Sequence, residues 1–96
     1  MSEPDFSPLA IHDLNDILDY IARDKPRAAV AFIEKLEEAC RTLAQFPLIG
    51  ASRQGLIPGL RVFSVGNYIV YYRPQGETVR IERVLHGARD VDSLFR

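Results

Sequence analysis

The first half of the chain repeats its apolar residues at helical spacing; the second half does not. From Ala29, apolar side chains fall at Phe32, Ile33, Leu36, Cys40 and Leu43, offsets of 3, 4, 7, 11 and 14. That pattern lays one stripe along an α-helix. An earlier set, Ala10, Leu14, Ile17, Leu18 and Ile21, predicts a helix of about four turns near residues 8–23. His12, Asp13, Asp16 and Asp19 are placed on its other faces. Ser7-Pro8 is a start signal, because serine caps free N–H groups and proline is preorganised for the first helical position. Asp24-Lys25-Pro26 breaks the chain and starts the second helix, which Phe46-Pro47-Leu48-Ile49-Gly50 ends. So short a connection makes the helices antiparallel neighbours.

Residues 50–58 carry Gly50, Ser52, Gly55 and Pro58 and read as a loop. After them the pattern changes. Leu60–Val65, Asn67–Arg73 and Thr78–Leu85 are short runs rich in Val, Ile, Tyr and Phe, divided by Gly66-Asn67 and by Pro74-Gln75-Gly76-Glu77. This predicts a three-stranded antiparallel meander, to which Asp5-Phe6 can add an edge. The fold class is therefore α+β, a helical hairpin packed on a twisted antiparallel sheet of three to four strands, one domain over residues 1–96. The tail, residues 86–96, reads as a helical turn or an extended arm.

The strands lack a clean alternation. In the third run Val79, Ile81 and Leu85 share parity with Arg83, while Val84 shares it with Arg80, Glu82 and His86. In the second run Ile69 and Tyr71 oppose Tyr68, Val70 and Tyr72. Two helices cover one side of such a sheet. The other side is expected to carry tyrosine, valine and arginine together, the composition of a binding surface.

Charge sharpens this picture. The net charge of −1 hides a balance of −5 over residues 1–40 and +4 over residues 41–96, where every basic residue is arginine. Guanidinium forks recognise carboxylates and phosphates. Either the second half faces an anionic partner, or the two halves neutralise each other. Hydrophobic residues at 47% and charged residues at 26% exclude intrinsic disorder. The single Cys40 excludes an internal disulfide framework, and its place on the apolar stripe reads as a core thiol. No apolar run approaches a membrane span, and Met1-Ser2-Glu3-Pro4-Asp5 lacks the apolar region of a signal peptide, so a cytoplasmic protein is expected.

Candidate chemistry clusters near the end of the last strand, at Arg83, His86, Arg89 and Asp90, with Arg61 and Arg73 on neighbouring strands. Arginines with one histidine can hold a phosphate and move a proton, as RNA cleavage requires. The same residues also make ordinary structural ion pairs. His12 and Asp16 have helical metal-ligand spacing, but two ligands make no site. Gly55 and Gly59 lack the strand–loop–helix context of a phosphate loop. Tyr68, Tyr71 and Tyr72 can stack on bases, although adjacent strand residues face opposite ways. No cofactor or metal is expected.

The order of segments resembles a known family. Ser7-Pro8-Leu9-Ala10 leads into Asp13-Leu14, Ile17 and Asp19-Tyr20-Ile21-Ala22. Leu43-Ala44, Pro47, Gly50, Pro58-Gly59-Leu60-Arg61 and Tyr68-Ile69-Val70-Tyr71-Tyr72-Arg73 follow. The chain closes on Val79-Arg80-Ile81-Glu82-Arg83-Val84-Leu85-His86-Gly87-Ala88-Arg89-Asp90. This is similar to the RelE/ParE superfamily of type II toxin–antitoxin toxins, on its ParE side.

The resemblance implies a toxin that blocks DNA gyrase and arrests growth, as in plasmid stabilization systems. It also implies a cognate ParD-like antitoxin whose C-terminal segment folds over the toxin, the complex binding operator DNA through the antitoxin. The alternative branch is the ribosome-dependent mRNA interferase, for which Arg61, Arg83 and His86 are the catalytic candidates. Gly87 stands where some nucleases carry tyrosine, and Tyr68 where some carry arginine. A non-toxic antitoxin-binding member is a third possibility. Arg61, Tyr68, Tyr72, Arg73, Arg83, His86, Arg89, Leu94 and Phe95 are the expected target- or antitoxin-binding residues.

Overall fold

A computed structural model of the chain describes residues 3–89 and 91–95. Ser7 caps the first helix as expected, its Oγ accepting the Ala10 N–H at 3.0 Å. The helix α1 runs Pro8–Ala22 and α2 runs Pro26–Gln45. Their apolar stripes meet each other and one face of the sheet. Ala10, Ile17, Leu36, Cys40, Leu43 and Ala44 pack there with Val65, Val70, Tyr72, Val79, Ile81 and Val84.

The sheet has five strands rather than three or four. β1 (Asp5–Phe6), β2 (Ala51–Ser52), β3 (Arg61–Val65), β4 (Tyr68–Gln75) and β5 (Thr78–His86) stand in the order β1-β5-β4-β3-β2. β1 pairs with β5 in parallel, and the other pairs are antiparallel. The extra strand, β2, lies within the expected loop; two residues carry no periodicity to read. Pro74 and Gln75 belong to β4, so the turn is only Gly76-Glu77. Gly66 and Gly76 open the two tight hairpins with φ of +59° and +58°, a backbone region closed to most side chains. The tail forms one helical turn, α3 (Val91–Leu94).

The broken alternation in β5 has a single cause. Tyr71 pairs with Arg83 and Tyr72 with Ile81, which leaves Glu82 as an extra residue, a β-bulge. Parity shifts by one there. Val79 and Ile81 before it, and Val84 after it, all face the helices, while Leu85 faces the other way.

That other face is not open throughout, contrary to expectation. Leu60, Tyr71 and Leu85 form a second small core beneath Leu56, Ile57, Val91, Leu94 and Phe95. The segment before β3 and the C-terminal turn thus cover its apolar part.

Burial pushes the Cys40 thiol up to about 12, with Glu37 adding to the shift. At pH 8 about one molecule in ten thousand then carries the reactive thiolate in the folded state. Iodoacetamide is expected to label Cys40 only as fast as the protein unfolds; prompt labelling of folded protein would contradict this burial. Because the folded value lies above the unfolded one, this group's contribution to stability is complete below about pH 9. It is lost as the pH rises toward about 12.

Candidate functional site

The expected site residues separate into three places. The first is a structural clamp. Tyr72 is fully buried on the helix side of the sheet. Its hydroxyl donates to the Pro47 carbonyl at 2.8 Å and accepts the Gly50 N–H at 2.9 Å. Arg61 donates to the Gly50 carbonyl at 2.9 Å and to the Leu48 carbonyl at 3.0 Å. Together they fix the chain where α2 ends and β2 begins. Tyr72 is therefore a core residue and presents no surface to a partner.

The second place is an aromatic cleft at the end of β4 and β5. Tyr68 pairs with His86 across the strands, and their rings meet edge to face at 5.3 Å. Phe32 of α2 lies 5.4 Å from Tyr68 on the other side. Tyr20, Ile21 and the Gly66-Asn67 turn complete a recess of about 720 Å³. Tyr20 is 69% exposed, and desolvation together with the nearby Tyr20 raises the Tyr68 phenol above its ordinary pKa. His86 accepts the Ala88 N–H through Nδ1, so the neutral ring carries its proton on Nε2. A smaller recess beside it brings in Asp13, Asp16 and Arg89. Asp16 also lies 3.3 Å from His12.

The third place is on the second face. Arg73 donates to Glu82 from Nε at 2.8 Å and from Nη2 at 2.6 Å. Arg80 reaches Asp5 at 3.0 Å and Glu82 at 3.4 Å. Arg83 grips Asp13 with two parallel bonds of 2.8 and 2.9 Å, and Asp13 Oδ2 also accepts the Val84 N–H at 2.9 Å. The hydrogen bond to Asp13 holds the Arg83 guanidinium above its ordinary pKa. Asp13 thus turns inward, not outward as its place off the apolar stripe suggested. Leu94 and Phe95 dock on the small second core, with the Phe95 ring 5.3 Å from Tyr71.

Much of the charge asymmetry is consumed internally. Asp5 and Asp13 from the acidic half neutralise Arg80 and Arg83 from the basic half. The three catalytic candidates do not converge. Arg61 pairs with Tyr72 on one side of β4 and His86 with Tyr68 on the other, an offset of ~13 Å along the strand to which the two strand spacings add. Arg83 is committed to Asp13. Asp90, the remaining member of that sequence cluster, lies outside the described residues. Sequence reading missed Tyr20 and Phe32 as cleft walls; the available signal was Tyr20, an aromatic left over beside the stripe of α1.

A family model described as "ParE toxin of type II toxin-antitoxin system, parDE" matches residues 5–91. The chain belongs to the ParE toxin family. It is 43% identical over 61 residues to Toxin ParE3 of Caulobacter vibrioides, covering 64% of this chain and 61% of that one. It is 37% identical over 65 residues to Toxin ParE1 of Mycobacterium tuberculosis, covering 67% and 66%. The matched part of the chain thus spans under two thirds of the length of these curated relatives. A solved structure titled "Chromosomal ParDE TA system from P. aeruginosa" superposes with a TM-score of 0.75 at 24% identity, over 90% of this chain and 96% of that one. At that identity the likeness speaks for the ParE fold, the helical hairpin on its sheet.

Proposed function

We propose that this ParE family member arrests growth by binding DNA gyrase, and that a cognate ParD-like antitoxin neutralises it. The observation that carries the inhibitory reading is the separation of Arg61, Arg83 and His86, both arginines already engaged, beside an open aromatic cleft. A chain with recognition surfaces, in which Arg61, Arg83 and His86 do not converge among the described residues, is suited to jamming a larger enzyme by contact. The cleft of Tyr20, Phe32, Tyr68 and His86 is the contact surface in this reading, since exposed tyrosines dominate binding energy at interfaces. The toxin works in the cytoplasm, and the antitoxin carries the complex to operator DNA. No helix among the described residues is long and apolar enough to cross a membrane.

Purified gyrase supercoiling is the test. Inhibition is expected from the wild-type chain, and Tyr20→Ala should weaken it about tenfold or more without unfolding the protein, because Tyr20 is mostly exposed. His86→Ala separates the readings. A histidine serving as general acid or base in mRNA cleavage would cost about a hundredfold or more when removed. A wall of a binding cleft costs far less. Growth arrest with untouched gyrase, or no arrest at all, sinks the proposal.

A further inference from the structure

The charge asymmetry of the sequence pointed to the second half, yet the arginines there are largely engaged. Those that floor the recess beside Phe95, Arg73, Arg80 and Arg83, are paired with Glu82, Asp5 and Asp13. Three cations of the acidic half are not. Arg23, Lys25 and Arg27 lie together at the tip of the helical hairpin, all of them exposed. Among the described residues none of the three forms an ion pair or a side-chain hydrogen bond. Asp24 is the one acid between them, so the tip keeps an excess of positive charge. The first turn of α2 holds no acid, and the helix dipole disfavours Lys25 and Arg27 beside it. These charges therefore cost the hairpin stability without an internal contact to offset it.

The tip adjoins the aromatic cleft. The main-chain N–H groups of Asp24 and Lys25 donate to the Ile21 carbonyl at 3.2 and 2.9 Å, which holds the tip against a wall of the cleft. Arg23 is still helical and stands three residues after Tyr20, so the two are neighbours on the surface of α1. Free cations thus flank a recess walled by Tyr20, Phe32, Tyr68 and His86. Cations that track a phosphate backbone, beside rings on which a base stacks, are the two parts of a single-strand site. We propose that the hairpin tip and the cleft together bind single-stranded DNA, its phosphates on Arg23, Lys25 and Arg27 and an unstacked base against Tyr20 and Tyr68. Duplex DNA satisfies only the first part, because its bases are stacked on one another. A cationic side chain stacks on the same rings, but the tip repels it. The adjoining recess does not compensate, since its Asp13 is engaged by Arg83 and its Asp16 is accompanied by Arg89. In taking DNA as the source of the strand, the proposal rests on the gyrase reading, and it places the toxin against the DNA that the enzyme holds.

Fluorescence anisotropy of a labelled thymidine dodecamer titrated with the full chain is the measurement. Binding is expected, with the logarithm of the binding constant falling against that of salt at a slope of roughly −2, as three phosphates on a single strand require. The triple variant Arg23→Gln, Lys25→Gln, Arg27→Gln should bring that slope near zero and weaken binding about tenfold or more at low salt. Tyr20→Ala should weaken binding about tenfold with the slope unchanged, since stacking carries no charge. Both variants alter exposed residues, and thermal unfolding verifies that they fold. No binding, or binding unchanged in either variant, overturns the site. A duplex of the same length bound as tightly takes the base out of the cleft and overturns it too. Poly-glutamate bound as tightly does the same and makes the tip a protein contact. A ribo-oligonucleotide bound about tenfold more tightly overturns DNA as the source. Oligonucleotide binding by a chain that leaves supercoiling untouched keeps the site and removes the gyrase reading. Gyrase inhibited with no oligonucleotide bound does the reverse.

Discussion

Asp13→Ala is expected to destabilise the protein by about 3–5 kcal/mol, the usual cost of leaving one partner of a buried ion pair behind. In a domain of this size that lowers the unfolding midpoint by roughly 15–30 °C. The magnitude follows from three bonds lost together. Asp13 accepts both arms of Arg83 and the main-chain N–H of Val84, and its side chain is only 7% exposed. Removing it strands a guanidinium and an edge amide of β5 at once. The double variant Asp13→Leu, Arg83→Leu should recover part of the loss, since an apolar pair removes the stranded charge but not the unpaired Val84 N–H. Thermal unfolding followed by circular dichroism measures all three proteins. A loss below about 1 kcal/mol in the single variant would mean the pair behaves as a solvated surface bridge. The functional effect should be broad as well, because Asp13 borders the recess beside His86 while Arg83 floors the one beside Phe95. One ion pair joins the two candidate surfaces.

Gly50→Ala should be nearly as damaging, at about 3–5 kcal/mol from overpacking combined with broken hydrogen bonds. A methyl group built there would stand 2.5 Å from the Tyr72 hydroxyl and 2.6 Å from the Val62 carbonyl oxygen. Neither neighbour is free to retreat. Tyr72 is held at both Pro47 and Gly50, and Val62 lies in a strand paired on both sides. The substitution fails on space alone, since Gly50 is not among the positive-φ glycines. Gly55→Ala, with open space around it, is the matched control and should leave the midpoint nearly unchanged. Equal midpoints for the two variants would show that the clamp at the end of α2 yields without cost.

The helical hairpin was legible because each helix buries one stripe, and period and burial coincide from Ala29 to Leu43. The meander was legible from its glycine turns. What escaped was set by contacts between distant segments. Asp13 looks solvated beside its helical neighbours; only the docking of α1 along β5 turns it inward, seventy residues away in sequence. Tyr72 and Tyr71 are indistinguishable as letters, yet one anchors the main core and the other the small one. The arginines pointed to an anionic partner, and the fold spends several of them on its own acids. The resemblance carried by the closing segment named the family, while the residue-level site depended on where β5 changes phase.

That change of phase at Glu82 has an evolutionary consequence. The residues ahead of it, Arg80 and Ile81, set the arginine floor and the core beneath it, while those after it, Val84 to His86, set the aromatic recess and its support. Substitutions that retune one end leave the alternation of the other intact, and even deleting Glu82 would only close the bulge into a regular ladder, with Ile81 opposite Tyr72, Arg83 opposite Tyr71 and each side chain on its present face. The strand therefore behaves as two hinged modules, so that a lineage can alter what one end recognises while holding the other constant.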